Sequence, residues 1–224
     1  MPSAALPFGL TSRDESRRYF AWIAGLFGEA LSGAVLDHGA GTGILSALLL
    51  ERATRVFALE PDPQLFEGLG RRFAGSARVT PVHGTIETYL SGYGKGSLDA
   101  VVSSNVLEHL LDDVGCLRLL HEALRPGGAL AVFVPARAEL FGSLDTSVGH
   151  LRRYTRPLLR QRLEDAGFFV EWLRYGTWRA WCRGSSAGAC SNSGPLARGA
   201  CASTTAGFSR SQPAWKACCA FRTD

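Results

Sequence analysis

Apolar positions recur along this chain in two alternating rhythms. Over residues 12–31, a Ser12-x-x-Glu15 capping spacing precedes Phe20, Ile23, Ala24, Phe27 and Leu31 at helical intervals, which predicts an amphipathic helix laid against a larger body. Residues 34–37 form a short apolar run ending in glycines, and 44–50 are apolar with helical spacing, so the order is strand, tight turn, helix. Residues 55–60 predict a second strand and Asp62 opens a second helix. Residues 77–82 read as a third strand, in which Pro81 suits an edge better than a centre. A fourth strand is predicted at 97–103, and a helix over 112–125 is stopped by Pro126-Gly127-Gly128. The wholly apolar stretch 129–134 has the character of a parallel strand buried on both faces. Thr155-Arg156-Pro157 opens a further helix that Gly167 ends, and 168–175 predict a sixth strand. This alternation predicts an α/β fold: a doubly wound, Rossmann-like, mostly parallel sheet with helices on both faces and a ligand crevice beyond the carboxyl ends of its strands.

The rhythm stops after Gly176. The chain then divides into an N-terminal helical segment packed on the domain (1–32), a Rossmann-like domain (33–176) and a low-complexity tail (177–224) expected to be disordered. The tail is too poor in aliphatic residues to repay an ordering cost of about 1–2 kcal/mol per residue. An out-of-frame translation of a GC-rich gene accounts for such a composition, since the codons of 177–183 read two bases later allow Leu-Ala-Gly-Leu-Val-Pro; a flexible basic anchor is the competing explanation.

Composition bounds the function. The 224 residues are 46% hydrophobic and 20% charged, enough for one full domain. The net charge of +4 suggests polyanionic partners until it is located. Six basic residues and one acid lie in 177–224, leaving 18 basic and 19 acidic groups in the body. No specific nucleic-acid partner is therefore expected. Five of the six cysteines also lie in the tail, without C-x-x-C spacing or nearby histidines, so no metal is expected. No apolar run reaches the roughly 18 residues of a membrane helix and no signal-peptide pattern opens the chain, so a cytoplasmic location is expected.

The chemistry concentrates at Asp37-His38-Gly39-Ala40-Gly41-Thr42-Gly43. Its glycines permit a tight turn and close approach of a ligand, but the spacing is not that of a dinucleotide fingerprint. Asp37 would repel a pyrophosphate and attract an ammonium or sulfonium.

This loop resembles the first motif of class I S-adenosylmethionine-dependent methyltransferases, and other pieces agree in order and spacing. Glu60, followed by Pro61, matches the family's ribose-binding acid. Gly84, Thr85 and Ile86 fall where the family lines the adenine, and Asn105-Val106-Leu107-Glu108-His109 resembles the motif after the fourth strand. A narrower likeness, Phe141-Gly-Ser-Leu-Asp145 with Gly149-His150-Leu-Arg152-Arg153-Tyr154-Thr155, is similar to a bacterial subgroup often encoded near glycosyltransferases. The resemblance spans about residues 15 to 176.

The resemblance implies S-adenosylmethionine as cofactor, held by Asp37, Gly39, Ala40, Gly41, Gly43, Glu60, Pro61, Gly84, Thr85, Ile86, Asn105 and Val106. It implies methyl transfer by in-line displacement to a small-molecule or saccharide-linked acceptor, with a non-catalytic cofactor-binding protein as the alternative. His109 and His150 are the candidate bases; capping or packing under the next helix is the other reading of His109. Arg152, Arg153 and Tyr154 are candidates for binding an anionic acceptor, or the arginines form a solvated face or pair with Asp145. His38 is expected to be a hydrogen-bonded structural histidine. Tyr19 and Arg18 either close over the cofactor or, the preferred reading, Tyr19 rims the core stripe; Trp172, Trp178 and Trp181 show no common surface. The subgroup's closing strand is not recognisable in 177–224, so the final antiparallel strand is expected to be missing.

Overall fold

The computed structural model describes residues 13–177 and 215–222. Helix α1 (Arg13–Phe27) buries Tyr19, Ile23, Ala24 and Phe27 along one side and exposes Arg17, Arg18, Ala21 and Gly25 on the other. Each large apolar side chain of that stripe contributes roughly 1.5–3 kcal/mol by leaving water, which fixes the helix on the domain. Tyr19 is part of the buried stripe rather than its rim.

Five parallel strands follow, β1 (Gly33–His38), β2 (Ala53–Glu60), β3 (Val79–His83), β4 (Leu98–Ser104) and β5 (Leu124–Pro135). Between and after them run α2 (Ile44–Leu49), α3 (Pro63–Arg72), α4 (Ile86–Tyr93), α5 (Asp113–Ala123), α6 (Ser143–Ser147) and α7 (Arg156–Asp165). Successive strand residues serve opposite faces, as a pleated strand requires. Val35 lies with α1, α2 and α3, and Leu36 with α4, α5 and α7. Pro81 sits in β3, at the edge of the sheet where a missing N–H costs no ladder bond.

The strand order is β3-β2-β1-β4-β5-β7-β6, with β6 (Phe169–Thr177) and β7 (Trp215–Arg222) completing the described sheet. The doubly wound arrangement is as expected, and its direction of winding reverses between β1 and β4, which opens a crevice at their carboxyl ends.

The expectation of a missing antiparallel strand, and with it a wholly disordered 177–224, is corrected. Strand β7 runs antiparallel to both β5 and β6, with Cys219 opposite Val132 on one side and Leu173 on the other. The aliphatic count misses it because an interior strand is held by backbone ladders on both sides. Residues such as Ala217, Cys218, Cys219 and Ala220 can occupy it without large side chains. Residues 178–214, on which the rest of that expectation falls, together with Trp178 and Trp181, lie outside the described residues.

Candidate active site

Strand β1 ends where Gly39 turns the chain. The N–H groups of Gly39 and Ala40 both donate to Leu59 O, at 3.0 and 2.9 Å, tying the loop to the end of β2. Glu60 closes the arrangement from the other side. Its Oε2 accepts from the Gly41 N–H at 2.7 Å and its Oε1 from the Asp62 N–H at 2.9 Å. A carboxylate has about four acceptor positions, so both oxygens retain capacity for a diol. Gly41 holds φ +55°, and a Cβ there would meet nothing within 4 Å, so this backbone faces open space. Gly43 differs, because a Cβ on it would lie 2.7 Å from side chains of Leu69 and Phe73; its work is packing against α3 and its flank rather than ligand contact.

Asp37 is expected at a ligand, and in the structure its carboxylate has a protein partner. Its carboxylate is buried and accepts from Ser46 Oγ at 2.6 Å, anchoring α2. Burial, partly offset by that bond and reinforced by the Glu60 charge, pushes its pKa up to about 7. The side chain of Ile86 is likewise core. His38 is structural, as expected: Nδ1 lies 3.0 Å from Ser103 Oγ, and burial lowers its pKa to about 4.

The remaining expected cofactor residues sit at adjacent strand ends. Gly84 N–H donates to Glu60 O at 3.1 Å, and Thr85 caps α4. Pro61 and Thr85 are exposed, whereas Ala40 is buried. Asn105 takes φ +57°, its N–H donates to Phe133 O at 2.8 Å, and Val106 packs over Gly39. Asn105 Nδ2 lies 3.0 Å from Ser104 Oγ and 3.5 Å from the Tyr19 hydroxyl. The helical stripe at Phe20, Ile23 and Phe27 does carry Tyr19 towards the sheet, but nothing in the spacing places it beside Asn105. Burial raises the Tyr19 phenol, so it stays protonated and able to donate.

His109 and His150 meet, with ring centroids 4.9 Å apart. His109 is exposed on the 3₁₀ turn Leu107–His109 and its Nδ1 lies 3.1 Å from Gly149 O. His150 is buried, its Nδ1 2.8 Å from Asp145 Oδ1 and its Nε2 3.9 Å from Glu108 Oε1. Burial raises the Asp145 carboxyl, but bonds from Arg153, His150 and the Gly142 N–H outweigh it and hold the pKa at about 2.

The three expected acceptor-binding residues do not form an anion cradle. Arg153 Nε bonds Asp145 Oδ1 at 2.8 Å, and Arg152 reaches Asp113 Oδ2 at 3.0 Å and Leu111 O at 3.2 Å. Tyr154 is fully buried, its hydroxyl shared between Leu107 O and Asp113 Oδ2. Paired arginines in a loop carry the same sequence signal whether they serve a ligand or a buried acid. The reading in which Arg153 pairs with Asp145 is the one observed. Around them Leu111, Phe141, Leu144, Val148 and Leu151 are exposed.

Comparisons with known proteins agree with this layout. Residues 36–132 match the family model described as a methyltransferase domain. The chain is 32% identical over 139 residues to a protein of Mycolicibacterium smegmatis named as a probable S-adenosylmethionine-dependent methyltransferase, covering 61% of this chain and 52% of that one. It is 35% identical over 96 residues to the ubiquinone biosynthesis O-methyltransferase of Methylocella silvestris, covering 43% and 37%. The chain thus spans from about a third to half of the length of these curated relatives. Among solved structures, the 1,6-didemethyltoxoflavin-N1-methyltransferase of Burkholderia thailandensis, with bound S-adenosylhomocysteine, superposes at TM-score 0.60 with 21% identity, over 93% of this chain and 78% of that one. Among the described residues no helix is long and apolar enough to cross a membrane. Residues 36–132 thus resemble a methyltransferase domain, and the fold is the Rossmann-like fold of S-adenosylmethionine-dependent methyltransferases.

Proposed function

We propose that the chain transfers a methyl group from S-adenosylmethionine to a small-molecule or saccharide-linked acceptor by in-line displacement. The observation that carries this reading is the convergence of the open Gly41 backbone, the Glu60 carboxylate, the turn at Gly84-Thr85 and Asn105 at the carboxyl ends of four adjacent parallel strands. Those residues suit the cofactor. Glu60 offers acceptors to ribose hydroxyls, and the Gly41 loop admits a ligand where a side chain would block it.

The leaving thioether is neutral and needs no acid, so positioning supplies much of the acceleration. His109, exposed beside the crevice, is the residue we assign to take a proton from the acceptor; His150 and Asp145 hold its neighbourhood in place. Arg152 and Arg153 are committed to Asp113 and Asp145, which leaves acceptor recognition to other groups. The exposed apolar rim from Leu111 to Leu151 suits an acceptor with an apolar body.

Calorimetric titration with S-adenosylmethionine and S-adenosylhomocysteine tests the reading. Both are expected to bind at one equivalent, and failure of both removes it. Binding of both without turnover over a panel of apolar hydroxylated and saccharide acceptors transfers the weight to a non-catalytic cofactor-binding role.

A further inference from the structure

We infer that Glu108, His109 and His150 form a binding site for a divalent first-row transition-metal cation of the zinc or cobalt kind. One carboxylate oxygen and one ring nitrogen from each histidine lie within 4.8 Å of one another. Three donors at 2.0–2.2 Å from a tetrahedral zinc stand roughly 3.3 Å apart. The cluster therefore needs a contraction of up to roughly 1.5 Å; the buried His150 Nε2–Glu108 Oε1 pair, at 3.9 Å, must close by a fraction of an ångström, and the exposed His109 side chain can supply the rest.

The outer bonds prepare both imidazoles for this task. His109 Nδ1 faces the Gly149 carbonyl at 3.1 Å and His150 Nδ1 faces the Asp145 carboxylate at 2.8 Å. Both partners accept hydrogen bonds, so in each neutral ring the proton is assigned to Nδ1 and the lone pair to Nε2. A histidine ligand whose other nitrogen donates to a carboxylate or carbonyl is the usual outer arrangement of a metal site, and it raises ligand basicity. Asp145 is itself held by Arg153 Nε at 2.8 Å and the Gly142 N–H at 3.0 Å. The Phe141–Asp145 and Gly149–Tyr154 stretches thereby acquire a shared purpose: they orient His150.

Two imidazoles and a carboxylate suit zinc, cobalt or nickel better than magnesium or calcium, and three protein ligands leave a position for an outside oxygen. Glu108 and His109 lie on the turn after β4, beginning three residues beyond Asn105, and His150 reaches them from the segment between α6 and α7. On the methyl-transfer reading, on which this role but not the binding itself rests, the cation takes over from His109 the task of weakening the acceptor's hold on its proton, by Lewis-acid polarisation of an acceptor oxygen, because a ring whose Nε2 lone pair is on the metal accepts no proton. The expectation that no metal binds rested on the cysteines and their surroundings, and the 40 residues between His109 and His150 hide the pairing from any local motif.

The test is titration of the full, metal-stripped chain with Co²⁺, followed by visible ligand-field absorption. The expected result is a saturable spectrum of four- or five-coordinate nitrogen and oxygen ligation at one equivalent. It should weaken at least about tenfold in His109→Ala and in Glu108→Gln, and persist in His121→Ala. His109 is exposed, so His109→Ala should keep the far-ultraviolet circular dichroism and melting of the metal-free protein. Near-ultraviolet sulfur charge transfer that His109→Ala leaves unchanged would instead place the ion on cysteines and overturn the site. So would the absence of any saturable band, the outcome expected if His150 is a cation held between Asp145 and Glu108. Titration with S-adenosylhomocysteine runs alongside. Binding of the nucleoside without Co²⁺ overturns the metal site alone, and binding of Co²⁺ without the nucleoside upholds the site while removing the acceptor role.

Discussion

Glu60 accepts the Gly41 backbone N–H at 2.7 Å, so the acid at the end of one strand and the loop after its neighbour move as one unit. Substituting Glu60 therefore does two things at once, removing acceptors for a ribose and releasing the loop. Hydrogen bonds to a charged group are worth about 1.5–3 kcal/mol each. Glu60→Ala should weaken S-adenosylhomocysteine binding by roughly 10- to 100-fold in calorimetry. Glu60→Gln, which keeps one acceptor, should lose less.

The glycines at 41 and 43 should separate cleanly. A side chain in a left-handed conformation costs about 1–2 kcal/mol, and in Gly41→Ala the added methyl group points into open space where the ligand approaches. Gly41→Ala is expected to lose cofactor affinity with a melting temperature lowered by only a few degrees. In Gly43→Ala the methyl group meets Leu69 and Phe73, so the loss should appear chiefly in melting, by several kcal/mol. Equal affinity losses at equal stability would contradict this division.

Asp37 and His38 pull the pH dependence of stability in opposite directions. The folded pKa of Asp37, about 7, lies above the unfolded carboxylate range. The folded state therefore binds the extra proton between about 4 and 7, and the contribution is lost as pH rises through that window. His38, lowered to about 4, does the reverse: the unfolded state binds more protons between about 4 and 6.5, so stability is lost as pH falls. Asp37→Asn keeps an acceptor for Ser46 and removes the first effect. Urea unfolding at pH 4.5 and 7.5 should show the variant gaining on the wild type at the higher pH; a pH-independent difference would refute the assignment.

Tyr154 tests whether the Arg-Arg-Tyr stretch is built for an acceptor or for the fold. Its buried hydroxyl serves Leu107 O and Asp113 Oδ2. Tyr154→Phe should cost about 1–3 kcal/mol in denaturant unfolding and leave S-adenosylhomocysteine affinity within about twofold.

Much of the crevice was legible from 34–43 and 55–60, because a parallel strand followed by glycines leaves few alternatives. What misled was burial. Arg153, Tyr154 and Asp37 are polar residues at motif positions, and spacing alone does not say whether a polar group turns to a ligand or to a buried partner such as Asp145, Leu107 O or Ser46. Tyr19 lies 86 residues from Asn105, and that contact is created by the docking of α1. Strand β7 escaped detection for a different reason: alanines and cysteines carry no strand rhythm, and the ladder that holds them belongs to β5 and β6.

Replacing Cys219 by proline would break that ladder on a strand paired along both edges. A central-strand proline removes a backbone donor and crowds its neighbour. Cys219→Pro should lower stability by about 3 kcal/mol or more, whereas Cys219→Ser, which keeps the backbone, should cost far less; equal melting of the two would argue against the pairing.

The place of β7 also sets a timetable. Its partner Val132 lies 87 residues earlier, and β6 is already made when β7 arrives, so the strand must enter a gap between two elements that precede it in synthesis. Long-range pairing of this kind is slow, because the closure entropy is spent before the ladder returns it. Until that insertion the flank of β5, with Leu130, Val132 and Phe133, stands as an open apolar edge able to recruit a strand from another molecule. The last step of folding is then a race between one's own strand and a stranger's, decided by concentration and by the chaperones that keep such edges apart.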